Sequence, residues 1–97
     1  MMNRAKIIEY LREYRKEKAQ EYGIEEIGLF GSYARNSFDA QSDVDVFVRL
    51  QHSSLFLLSR IRIELEEWIG LPVDIVQVRD RMNDTLKRRI EKDAISA

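Results

Sequence analysis

The hydrophobic pattern predicts an α/β (α+β) fold. It is a small mixed β-sheet of about three strands with helices packed on it, in the order helix, strand, strand, helix, strand, helix. Three observations predict it. Apolar residues recur at three- and four-residue steps in two long segments, 3–22 and 53–70. Short β-branched runs lie between and after them, bounded by glycine, proline or polar residues. At 97 residues the chain has room for one core, so residues 1–97 are read as a single domain.

The first helix covers Asn3 to Tyr22, with Ile7, Ile8, Leu11 and Tyr14 at helical spacing among charged residues. Gly23 stops it. Ile24 to Phe30 reads as a strand, in which Gly28 allows another chain segment to approach closely. Gly31-Ser32-Tyr33-Ala34-Arg35 breaks that strand and opens a short helical turn, and Asn36 to Ser42 is turn-prone. In the second strand, Asp43 to Leu50, Val44, Val46 and Val48 alternate with Asp43, Asp45 and Phe47. Ser53 or Ser54 caps the next helix, whose apolar positions are Leu55, Leu58, Ile61, Leu65 and Trp68. Gly70 and Pro72 end it. Val73 to Val78 is the third strand, and a last helix from about Asn83 to Ile95 turns Leu86 and Ile90 inward. The simplest packing puts the helices on one side of the sheet.

Composition excludes several functions. Sixteen basic and seventeen acidic residues give a net charge of −1, which argues against a protein that wraps nucleic acid, so no direct nucleic-acid contact is expected. No cysteine is present, which removes disulfides and Cys-based metal sites. A single histidine, His52, removes multi-His metal sites. No apolar run reaches the roughly twenty residues of a spanning helix, and the N-terminus lacks a signal-peptide pattern. The sequence therefore predicts a cytoplasmic protein without membrane contact. Charge is uneven: residues 1–18 carry six basic and three acidic groups, 79–97 six and four, and 19–78 four and ten. An acidic centre between basic ends suits a carboxylate site that needs a cation.

Asp43 and Asp45 stand two apart on a strand, so alternation turns both to one face. Asp74 sits among apolar residues in Val73-Asp74-Ile75-Val76. If these strands are neighbours, three carboxylates converge. Aspartate is depleted in strands and buried unpaired charge is costly, so three such residues call for a divalent cation, for which carboxylates are hard ligands. Gly31-Ser32 follows a strand and opens a turn, where backbone N–H groups and a hydroxyl can meet phosphate.

Gly31-Ser32, ten intervening residues, then Asp43-Val44-Asp45 resembles the G-S-x10-D-x-D signature of the nucleotidyltransferase superfamily that includes DNA polymerase β. The longer run, Leu29 to Arg35 and Ser42 to Val46, is similar to the minimal nucleotidyltransferases. These are small prokaryotic proteins usually encoded beside a HEPN-domain partner, as the antitoxin of a toxin–antitoxin pair. The resemblance spans essentially the whole chain. Asn36 stands where the family often has glycine, and asparagine tolerates a left-handed backbone.

The resemblance implies a polymerase β palm-like core and transfer of AMP from ATP to a hydroxyl, a tyrosine of the HEPN RNase toxin. It implies Mg²⁺, in a two-metal site, held by Asp43, Asp45 and Asp74, with Asp74 also helping to deprotonate the acceptor. Gly31 and Ser32 would hold the terminal phosphates. Two other readings stay open: a catalytically idle antitoxin that neutralises by contact, and a nucleotidyltransferase for a small molecule. A core this small cannot enclose ATP and an acceptor, so a hetero-oligomer is expected and self-association is open.

Other residues are read more plainly. Arg35 reads as a structural arginine pairing with a carboxylate, with a phosphate contact as the alternative. Ser42 is a turn residue and His52 an exposed loop residue. Tyr10, Tyr14, Tyr22 and Trp68 belong to the core or its boundary. Lys87-Arg88-Arg89 is a solvated face, or a contact for an acidic partner. The run Leu55-Phe56-Leu57-Leu58 is either a packed helix start or a partner surface.

Overall fold

The structure, a computed structural model, describes residues 2–97. The elements are α1 (Arg4–Tyr22), β1 (Ile24–Phe30), α2 (Gly31–Arg35), β2 (Val44–Leu50), α3 (Leu55–Ile69), β3 (Val73–Gln77), α4 (Asp84–Asp93) and β4 (Ile95–Ser96). Side-chain caps fix the helix starts. Asn3 accepts from the Lys6 N–H at 3.0 Å, Ser54 from the Leu57 N–H at 3.2 Å, and Asn83 from the Thr85 and Leu86 N–H groups.

The sheet has four strands in the order β3-β2-β1-β4. β1 runs antiparallel to β2 and β4, while β3 is parallel to β2 after the α3 crossover. The sequence pointed to about three strands and a last helix reaching Ile95. Instead α4 ends at Asp93, and Ile95–Ser96 lies along the edge of β1. Two residues are too few to show an alternation. Their pairing comes from the sheet edge, where the Ala97 N–H also donates to the Ile27 carbonyl at 2.9 Å.

Alternation divides the sheet's side chains between two cores. Ile27, Leu29, Val44, Val46 and Val48 pack with Ile7, Leu11 and Tyr14 of α1 and Ile61, Leu65 and Ile69 of α3. Phe30 and Phe47 point the other way and pack with Ile90 of α4. Helices therefore cover both faces, not one. Phe47 is the cause, because an aromatic ring among the valines of β2 needs its own cover. Gly28 makes room for it: a Cβ there would collide with the Phe47 ring and the Ile95 carbonyl.

Candidate active site

The parallel ladder between β2 and β3 sets Asp45 directly opposite Asp74. Two residues further along, Phe47 faces Val76 in the α4-side core, so both aspartates project from that same face. On the other flank, Asp45 is paired with Phe30, the last residue of β1. The chain then turns at Gly31, with φ 73°. A Cβ on Gly31 would fall onto the Asp45 carboxylate. Glycine is needed there for its backbone angle and for the close approach.

α2 begins at that point with no side-chain cap on its first turn. Ser32 is half-buried beside it. Asn36 takes the left-handed conformation, φ 61°, that closes α2, a conformation asparagine tolerates. Ser42 holds the following turn by accepting from the Asp39 N–H at 2.9 Å. Two contacts fix the strand starts that carry the acids. The Val44 N–H donates to the Pro72 carbonyl, and the Val73 N–H donates to Glu66 of α3, both at 2.9 Å.

Electrostatics places the third acid. The Asp45 carboxyl is held above its ordinary value of 3.8. Burial is the largest cause, followed by the charge of Asp74, and Asp43 pushes in the same direction. Arg89 and Arg35 oppose the rise. Asp43 itself lies one residue before β2 and is exposed, as is Asp74. The acids thus lie within electrostatic range of Asp45 without closing on one point. Among the described residues, no three His, Cys, Asp or Glu side chains form a metal-holding group. The donor set still fits Mg²⁺: all the donors are hard oxygens of like charge, and Mg²⁺ ordinarily takes one or two carboxylates and completes its shell with phosphate and water.

Residues 8–97 match the family model of the nucleotidyltransferase domain. The chain belongs to that family. The chain is 34% identical over 96 residues to the protein adenylyltransferase MntA of Thermococcus cleftensis, covering 98% of this chain and 92% of that one. Two solved structures share the fold. One, a toxin–antitoxin with AMP-PNP, aligns with a TM-score of 0.72 at 23% identity, covering 98% of this chain and 72% of that one. The other, a tri-AMPylated Shewanella oneidensis HEPN toxin in complex with an MNT antitoxin, aligns with a TM-score of 0.62 at 22% identity, covering 97% and 67%.

This nucleotidyltransferase carries two basic side chains facing Asp45: Arg89, which sequence reasoning did not assign there, and Arg35, read as structural with a phosphate contact as the alternative. Arg89 belongs to the run read as a solvated face. The buried anchor beside it, Ile90, packs with Phe30 and Phe47, and this brings α4 to the carboxylate face. One turn on, Asp93 accepts from Arg35 of α2 at 2.7 Å. The structural reading of Arg35 is therefore the one observed. The available signal was the four-residue spacing of Arg89 and Asp93 on one helix face.

Proposed function

We propose that this nucleotidyltransferase acts in the cytoplasm, the compartment a cysteine-free chain suits. There it transfers AMP from ATP to a tyrosine hydroxyl of a HEPN-domain toxin and so serves as its antitoxin. The observation that carries this reading is that Gly31 lies against the Asp45 carboxylate while the ladder sets Asp74 opposite Asp45. The kinship with a protein adenylyltransferase, and the fold shared with an antitoxin bound to an AMPylated toxin, support it.

In this reading the acceptor oxygen attacks the α-phosphorus of ATP. An O–P bond forms, the α–β P–O bond breaks, and pyrophosphate leaves with the electron pair. Asp74, exposed at the edge of the site, takes the acceptor's proton. The Gly31 and Ser32 N–H groups and the Ser32 hydroxyl donate to the terminal phosphates. Arg89 and Arg35 add positive charge on the side where pyrophosphate departs. Asp43 and Asp45, with Asp74, would hold Mg²⁺, which when bound supplies charge neutralisation on the phosphates.

The test is transfer of label from α-labelled ATP to the neighbouring HEPN protein in the presence of Mg²⁺. Label on a HEPN tyrosine is expected. The double variant Asp43→Asn/Asp45→Asn should transfer none while retaining its circular-dichroism spectrum. A folded wild-type protein that leaves the partner unlabelled overturns the proposal. Neutralisation in cells by the double variant would assign the antitoxin effect to contact alone.

A further inference from the structure

The outer face of α3 carries a stripe the nucleotidyltransferase reading does not use. Phe56 is 91% exposed and Ile63 47% exposed. Arg60, Glu67 and the helix's terminal Gly70 are exposed on the same face. The positions 56, 60, 63, 67 and 70 alternate steps of four and three, so they form one line along the helix. Phe56, Ser59, Arg60, Ile63, Glu64 and Glu67 line a shallow groove. The other face of α3 is spent on the core through Ile61, Leu65 and Ile69.

We propose that this stripe is the interface of a homodimer, in which α3 packs antiparallel against α3 of a second copy about a two-fold axis at Ile63. The order of residues along the stripe argues for this occupant. In an antiparallel pair, residues equally far before and after the axis meet. Ile63 meets Ile63. Arg60, three before, comes within reach of Glu67, four after, and symmetry makes the pair twice. Neither side chain enters any other ion pair among the described residues, whereas nearby Arg62 and Glu66 pair with each other at 3.1 Å.

Phe56, seven before the axis, meets Gly70, seven after. A Cβ built on Gly70 finds nothing within 4 Å, so the space above it is open. An exposed ring at one end of the stripe is thus matched by an empty place at the other. A parallel pair would set Arg60 on Arg60 and Glu67 on Glu67, so the charge pattern selects the antiparallel one. Helices in contact lie about 8–10 Å apart, a gap that a ring facing a glycine can fill.

α3 has 15 residues and spans about 22 Å, so a single helix pair forms a contact at the small end of specific interfaces. The dimer is accordingly expected to be weak, with dissociation seen across the micromolar range. It leaves the carboxylates open, because α3 covers one face of the sheet and Asp45 projects from the other.

Sedimentation equilibrium of the full chain alone, between about 5 and 500 µM in low salt, tests this. A concentration-dependent monomer–dimer equilibrium is expected. Arg60→Glu and Glu67→Arg should each weaken it by about tenfold or more, and the double exchange Arg60→Glu/Glu67→Arg should restore it. Phe56→Ser should leave a monomer. All three positions are exposed, and thermal melts confirm that each variant folds. A wild-type chain that stays monomeric throughout the range overturns the proposal, as does a folded double exchange that fails to recover. If the chain alone is monomeric and the same variants instead lose the HEPN protein, the stripe belongs to that partner and the proposal is wrong.

Discussion

Gly31 and Asp45 touch: the glycine's missing side chain leaves the space that the aspartate's carboxylate fills. The contact joins the end of β1 to the start of β2, so the bend proposed to meet phosphate and the acid proposed to hold metal are placed by one constraint. Gly31→Ala should break it twice. Alanine at φ 73° costs about 1 kcal/mol, and its methyl must push the carboxylate aside. A displacement near 1 Å at a reacting centre costs on the order of 10²-fold in rate. The expected outcome is a folded protein, melting a few degrees lower, with AMP transfer reduced about a hundredfold or more. A melt and a label-transfer assay check both parts.

Asp45→Asn should raise the stability of the metal-free protein while abolishing transfer. The native carboxyl sits above its ordinary value, chiefly through burial and then through Asp74. A group raised in the folded state contributes stability that is full below its unfolded value of 3.8 and is lost as pH climbs through the folded value. At neutral pH that contribution is gone, so the charge is a burden and its removal raises the melting temperature. Melts in a chelating buffer should show the gap between variant and wild type narrowing as pH falls toward the carboxylate range. A gap that widens on acidification would contradict the assignment.

The sequence pattern made much of this legible for reasons that differ by element. Asp43, Asp45, Gly31 and Ser32 could be named as candidates because the chemistry proposed for them depends on local spacing, and strand alternation carries that spacing into space. Asp74 could be named, but its position opposite Asp45 depends on a parallel ladder that no local signal encodes. β4 was not legible, since two residues hold no period. The face taken by α4 was hidden for a related reason. One aromatic, Phe47, among the valines of β2 decides it, and its sequence sign is Gly28, which stands across the ladder and leaves room for the ring. Arg89 was missed because a basic run usually faces water, and what brings it to the acids is its buried neighbour, Ile90.

That neighbour gives a separable test of how α4 serves the site. Ile90→Ala removes the α4 anchor from a small core and should cost about 2–4 kcal/mol. Arg35→Met removes the contact to Asp93, whose side chain is 10% exposed and would be left without its cation, together with the positive charge that Arg35 sets against Asp45. An exposed pair contributes less than about 1 kcal/mol, and the mostly buried aspartate puts this one toward the upper end. Both variants should lower AMP transfer, and Asp93→Asn should lower it less than Arg35→Met. Denaturant unfolding with parallel activity assays separates the loss of fold from the loss of positioning.

Tyr14 offers a check far from the acids. It is fully buried, stands edge-on to Trp68 at 5.5 Å, and donates to Glu64 at 2.8 Å, while Tyr22 donates to the same carboxylate at 3.1 Å. Burial first, and Glu64 second, hold the Tyr14 hydroxyl well above the ordinary tyrosine range. A phenol raised in the folded state contributes stability that is full below its unfolded value of 10 and is lost as pH rises beyond it. The chain has four tyrosines. In an ultraviolet titration, Tyr14 should stay silent until the protein unfolds, so alkaline unfolding and its ionisation should coincide. Tyr14→Phe should cost about 1 kcal/mol at neutral pH, and that deficit should shrink above pH 10 because the variant has no phenol to ionise on unfolding. If Tyr14 titrates while the circular-dichroism spectrum is still native, the buried Tyr14–Glu64 contact does not hold its proton.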